Sequence, residues 1–293
     1  MTAAAVPPPL DAVPTPRVRT RARSGVLTGA VPSAVTGLAV LVVAGALFLV
    51  PLAAMAWFTV QQAGSGAITA AHYAAILDPA QASNYADLFT GLTNSLGICV
   101  LTVAIVLVLL LPAMLLAELR YPAARRVLEL VCLLPISVPT VVLVVGFVPV
   151  YQVVGALVGP DAWTLALAIG VIVLPYAYRP IRANLSTFNV VVLAEAARSL
   201  GASWPATVLR VILPNLRRGL LSSCLLTISV VLGEFTIANV LSRTTFQTAL
   251  LLLQQTDPYV ATIFALGALL LVFLLLVVIS TVGALGRSRR PRR

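Results

Sequence analysis

The chain has 293 residues, 60% of them hydrophobic and only 10% charged, with a mean hydropathy of +1.04. A soluble domain of this length carries about 25% charged residues, so a soluble enzyme is excluded and lipid is the expected solvent. The net charge of +10 comes entirely from arginine, and its grouping decides what it means.

Residues 1–30 are rich in Pro, Ala and Arg, with Arg17, Arg19, Arg21 and Arg23 ahead of the first apolar run. This segment reads as a disordered basic tail. The run Val35 to Val60 is too long for a signal core and reads as a retained first membrane helix. Five more spans follow: Leu88 to Ala117, Leu130 to Val158, Trp163 to Tyr178 with its flanks, Gly219 to about Val240, and Tyr259 to Leu285. About 20 residues at 1.5 Å each cross a hydrocarbon core of roughly 30 Å. The fourth run is the shortest, and Arg179 and Arg182 are placed to snorkel from its end. The expectation is therefore an all-α membrane protein with six transmembrane helices over residues 31–285, and a second basic tail at 286–293.

Charge orients the spans. The connections 61–87 and 159–162 carry aspartates and no arginine, whereas 118–129 and 179–218 are arginine-rich. Eighteen of the nineteen arginines fall on one side, Arg243 being the exception. By the positive-inside rule that side is the cytoplasm, with both termini in it. Arginines confined to tails and connections form no basic face for a duplex, so nucleic acid is not an expected partner; membrane lipid is.

Catalytic and metal chemistry have little to work with. His72 is the single histidine, and Cys99, Cys132 and Cys224 lie inside apolar runs without ligand spacing. Without lysine there is no phosphate-binding loop, and no Ser/His/Asp set exists. The chain is not expected to be an enzyme or to need a cofactor.

Two features inside the spans are open to more than one reading. Pro135 and Pro139, in Leu134–Thr140, are either ordinary kinks or a bend lining a pathway. Glu234, in Gly233-Glu234-Phe235, lies about 22 Å along the fifth span from its inner end. A carboxylate there must face protein or water, either as a packing and hydrogen-bonding group or as a substrate contact or gate.

The most specific signal lies in the connection between spans four and five, residues 183–214. Asn189 is a plausible cap for a helix over Leu193–Leu200, and Gly201 can end it in the left-handed conformation. Ser203 and Pro205 can then start a second short helix, closed by Pro214. Leu193, Ala196, Ala197 and Leu200 are expected on one apolar face, with Glu195, Arg198 and Ser199 largely opposite. Glu195 has an ordinary surface pairing with Arg198 or Arg182 as its plain alternative.

Glu195-Ala196-Ala197, three residues, Gly201, nine residues, Val211, one residue, then Leu213-Pro214 resembles the signature loop of permease subunits of binding-protein-dependent ABC importers. Val211 stands where such permeases usually have isoleucine, and Val190-Val191-Val192 replaces a more polar turn. The resemblance implies a type I importer permease fold and a loop that docks on a dimer of cytoplasmic ATPase subunits. It also implies a second permease subunit, a related chain or an identical one, and an extracytoplasmic solute-binding protein, all at a bacterial inner membrane. Gly233-Glu234-Phe235 is similar to the permeases of the spermidine/putrescine, ferric-iron and molybdate/sulfate importer group. The longer stretch Gly233 to Ala238, followed by Thr245-Phe246-Gln247, is most similar to the polyamine type. This implies a polyamine substrate, although the same carboxylate occurs in permeases for anions. A secondary transporter and a membrane scaffold or assembly protein are the rival readings, and each would work without an ATPase.

Overall fold

The computed structural model describes residues 34–62, 64 and 66–285, so both expected tails lie outside the described residues. The described residues are almost wholly helical, with one isolated antiparallel bridge between Gln61 and Ile68. The chain divides at Pro51 into two units. In the first, helix α1 begins at Ala34 and its side chains are apolar and exposed all round, as on a helix surrounded by lipid; it ends at Thr59 in the second unit.

The second unit holds the remaining helices. A short outer helix α2 (Ala71–Leu77) leads through a 3₁₀ segment to α3 (Ala86–Ile105) and α4 (Leu111–Leu119). Helices α5 (Pro122–Leu133), α6 (Thr140–Val158) and α7 (Leu165–Leu185) follow. After them come α8 (Val190–Ser199), α9 (Trp204–Ala206) and α10 (Leu213–Gly233). The last three are α11 (Thr236–Val240), α12 (Phe246–Thr256) and α13 (Pro258–Leu285).

Five helical runs among the described residues are long and apolar enough to cross a membrane: Val35–Thr59, Pro79–Leu119, Thr140–Val158, Ala162–Leu185 and Trp204–Gly233. The expected sixth coincides with α13, whose stretch Pro258–Leu274 is apolar but shorter. The multi-spanning, all-α architecture is thus plain.

Helix α7 is the centre of the unit. Leu165, Ile169, Val173, Ala177, Ile181 and Leu185 are at most 2% exposed. It packs on α10, α3 and α5, which explains how the shortest expected span sits inside the membrane: its neighbours are protein. The α7–α10 seam is close because α10 contributes small residues, Gly219, Ser223 and Thr227, on its buried stripe. A Cβ on Gly219 would lie 2.7 Å from Asn184 Cβ and 2.9 Å from the Pro180 carbonyl oxygen. Helix α7 runs on to Leu185, past its arginines. Arg182 is accordingly no snorkelling end; its Nη1 donates to Glu118 Oε2 at 3.0 Å.

Prolines correct the expected spans in two places. The third is not one helix: α5 ends at Leu133, a 3₁₀ turn covers Leu134–Ser137, and Val138 and Pro139 are extended before α6 starts. Two prolines four apart remove two amide donors, and Pro139 holds Val138 extended at φ −110°, ψ 129°, while Leu134 before Pro135 keeps helical angles. The fifth span begins earlier than expected, because Pro214 does not close a helix. A π-helical turn at Thr207–Ile212 precedes it and the helix continues through α10. The same device, Val106–Leu110, precedes Pro112 between α3 and α4. Such a turn bonds one residue further back, which takes the mismatch left by the missing amide without breaking the rod. Helix α10 then stops at Gly233, seven residues short of the expected stretch to Val240, and the chain restarts as α11.

Candidate functional site

The connection after α7 folds as a stiff corner. Asn189 is extended and its side chain accepts from the Val192 N–H at 3.1 Å, capping α8 as the sequence implied. At the other end Gly201 has φ +86°, its N–H donates to Arg198 O at 2.9 Å, and the Ala202 N–H donates to Ala197 O at 3.1 Å. These two bonds form a Schellman cap, satisfying carbonyls that would otherwise be unpaired at the helix end. Ser203 starts the next helix from an extended backbone, but its hydroxyl makes no cap bond; the Thr207 N–H and hydroxyl both donate to its carbonyl instead. The Arg198 guanidinium lies 5.5 Å from the Trp204 ring centroid, tying the two arms across the corner.

Helical phase differs from the expected face. Val190, Ala194 and Ala197 are the buried side chains of α8, packed toward α4 and the π turn at Thr207–Ile212. Leu200 is 89% exposed. The valine run therefore supplies the inward residue, and the corner presents Glu195, Ala196 and Leu200 outward. Pro214 is exposed too, while Val211 and Leu213 are half-buried at the root of α10. The signature residues thus divide into an exposed set at the corner and a set that anchors it.

Glu118 holds the neighbouring turn. Its carboxylate meets Arg182 and, at 3.6 Å, Arg125, joining α4, α5 and α7. Glu118 and both arginines border a cavity of about 500 Å³ against residues 185–191, directly behind the corner. Arg182, one of the two expected partners of Glu195, is committed to this network. Glu118 was missed in the sequence because its partners lie 7 and 64 residues away, and no local spacing points to them.

The second candidate group is the break after α10. Glu234 is extended at φ −79°, ψ 115°, and its Oε1 accepts from the Ile237 N–H at 2.5 Å, capping α11. Ile237 and Ala238 are fully buried, so that cap fixes a core element. The carboxylate's visible work is structural. Glu234→Ala is expected to destabilise the detergent-solubilised protein by about 1 kcal/mol in thermal unfolding, whereas Glu234→Gln, which keeps the acceptor oxygen, stays near the parent. Gly233 is exposed at the helix end and Phe235 is half-buried. Pro135 is buried in its 3₁₀ turn and Pro139 precedes α6. The structure does not gather these four residues and Glu234 into one cavity; Gly233 alone borders a large apolar groove beside α12 and α13.

An unforeseen element stands beside that break. Residues 246–256 form α12, which a charge-poor connection gave no reason to expect. Thr245 caps it in a box with Thr248, and the Phe246 N–H donates to Ser95 Oγ on α3 at 2.9 Å. Asn94 Nδ2 donates to Thr244 O, and Gln247 Nε2 to Leu232 O, both at 2.9 Å.

No group of three or more His, Cys, Asp or Glu that could hold a metal ion occurs among the described residues. A comparison with curated proteins finds no match. Residues 111–291 match the family model described as "binding-protein-dependent transport system inner membrane component". That match covers α4 to the end of α13, including the capped corner at Gly201. The chain therefore belongs to this family, as a non-catalytic, membrane-spanning permease subunit of a transport system.

Proposed function

We propose that the chain is one of two permease subunits of an ATP-driven importer in a bacterial inner membrane, crossing six times with both termini inside. Glu195, Ala196, Ala197, Gly201, Val211, Leu213 and Pro214 form the coupling corner that seats in a groove of a cytoplasmic ATPase dimer. The observation that carries the reading is an exposed, doubly capped corner within a matched permease family. At the arginine-rich end Leu200 and Trp204 are both exposed, an apolar pair that docking would cover.

Because Val190, Ala194 and Ala197 seat the corner on the root of α10, a push from the ATPase passes into that helix as a rigid body. Nucleotide state then biases which side of the pathway is open, and a docked, loaded binding protein stimulates ATP turnover in return. In this reading Gly233, Glu234, Phe235, Pro135 and Pro139 are hinge or pathway positions at helix breaks. The polyamine assignment rests on the resemblance of Gly233–Ala238 and Thr245–Gln247 and on no electrostatic contact, since the Glu234 carboxylate is engaged in capping.

Uptake into proteoliposomes by the complete complex, with its binding protein, should vanish when the ATPase subunits are omitted; uptake that persists would exclude this reading in favour of a secondary transporter. Glu234→Gln should lower uptake more than it lowers complex yield, because the cap survives and the charge does not. Unchanged uptake kinetics would remove the gating role.

A further inference from the structure

Arg243 is the one arginine outside the inner, basic side of the chain. Its backbone is fixed at three points. The N–H donates to Ala238 O at 2.8 Å, the carbonyl accepts from the Thr248 hydroxyl at 3.1 Å, and the preceding Ser242 takes the left-handed conformation at φ 53°. The guanidinium reaches toward α6, where a Cβ on Gly155 would lie 4.0 Å from Nη2. Its Nε is buried without a hydrogen-bond partner, and no ion pair joins Arg243 to an acid among the described residues. One turn away on α6, the Tyr151 hydroxyl is already spent on the Thr164 carbonyl and the Ala168 N–H.

A half-buried guanidinium with an idle donor is expensive unless something supplies acceptors. Arg243 lines a cavity of about 430 Å³ whose other walls include Thr90, Thr93 and Asn94 of α3, Asp161 and Trp163. Thr90, Thr93 and Gly97 are exposed along one side of α3, where these small residues leave the cavity open; the Thr93 hydroxyl donates to the Phe89 and Thr90 carbonyls. Asp161, the acid on the same cavity, is exposed to solvent and so needs no partner of its own.

We propose that this cavity is an outer-side subsite for a small solute bearing a single carboxylate-like oxyanion, held by the Arg243 fork. The planar guanidinium matches two oxygens in a way a point charge cannot. Asp161, which lines the same cavity without pairing to Arg243, disfavours multiply charged anions and accommodates an ammonium on the same solute, so amino-acid-like zwitterions fit best. The assignment rests on the permease reading for its orientation, and it departs from the polyamine expectation.

The test uses the purified complex of both permeases with the ATPase. Its Trp163 fluorescence is isolated as the difference from an otherwise identical Trp163→Phe complex. Alanine and acetate should each give a saturable change, with putrescine giving none. Arg243→Gln should raise the half-saturating alanine concentration at least tenfold, and Arg243→Lys should fall between. Equal responses in the parent and Arg243→Gln, a response to putrescine alone, or no response at the highest soluble alanine concentration would each overturn the subsite. So would a signal that follows added phosphatidylglycerol and ignores free solutes, which would make the group a lipid-headgroup contact. Failure of the permease reading shows separately, as ATPase-independent uptake by the unsubstituted complex.

Discussion

A Gly201→Val substitution is expected to leave the protein in the membrane at near-normal yield while reducing co-purified ATPase about tenfold or more. At φ +86° a residue with a Cβ pays roughly 1–2 kcal/mol, and a β-branched side chain pays more. No heavy atom lies within 4 Å of the Cβ position, so the penalty is conformational and no core is disturbed. The strain is relieved by unwinding the cap, which frees the Arg198 and Ala197 carbonyls and lets the two arms of the corner splay. A shift of about 1.4 kcal/mol in the docked geometry is a tenfold change in affinity. Gly201→Asn, which tolerates the left-handed region, should retain most of the association. Equal recovery of ATPase with all three chains would remove the stiff corner from the coupling account.

Gly91→Ala should produce the second large effect, on stability. A Cβ there would stand 2.6 Å from Thr245 O, 2.7 Å from Thr245 C and 3.0 Å from Phe246 N, all backbone atoms. Those atoms cannot retreat cheaply, because Asn94 and Ser95 bind the same segment from the next turn of α3. Helix and loop must part, at a cost of about 1–3 kcal/mol in overpacking, more if the Ser95 bond is lost in the buried site. In a chain of this size each kcal/mol lowers the thermal midpoint by roughly 2–4 °C. Gly97→Ala on the same helix, where nothing lies within 4 Å, is the matched control and should unfold with the parent. Coincident unfolding of the two variants would show that the loop is not clamped.

How far the sequence carries depends on whether a feature is local. The corner was legible because its determinants lie within a turn or two of each other: Asn189 three residues before its amide, Gly201 at the helix end. Its buried face was not, since hydrophobicity alone ranks Leu200 above Ala194, whereas proximity to α4 and the root of α10 decides which is covered. Prolines marked the places where spans depart from a straight helix, but not the form of the departure. Pro135 and Pro139 sit at a break, whereas Pro112 and Pro214 follow wide turns in continuous rods. Glu234 was placed within a span on composition, and only the backbone shows that the span has ended before it. Partners far apart in sequence, Glu118 with Arg182 and Asn94 with Thr244, left no trace in spacing.

The continuity through Pro214 has a mechanical meaning. From Trp204 to Gly233 the chain is one shaft of 30 residues, about 45 Å at 1.5 Å per residue. Its lower end is clasped by the Gly201 corner and its upper end stops where Glu234 begins the next element. Pivoted near the tryptophan, a swing of about 5° carries the tip sideways by about 4 Å, more than the width of a water molecule, by the same geometry. Movement too slight to disturb packing at the base is thereby magnified at the far end.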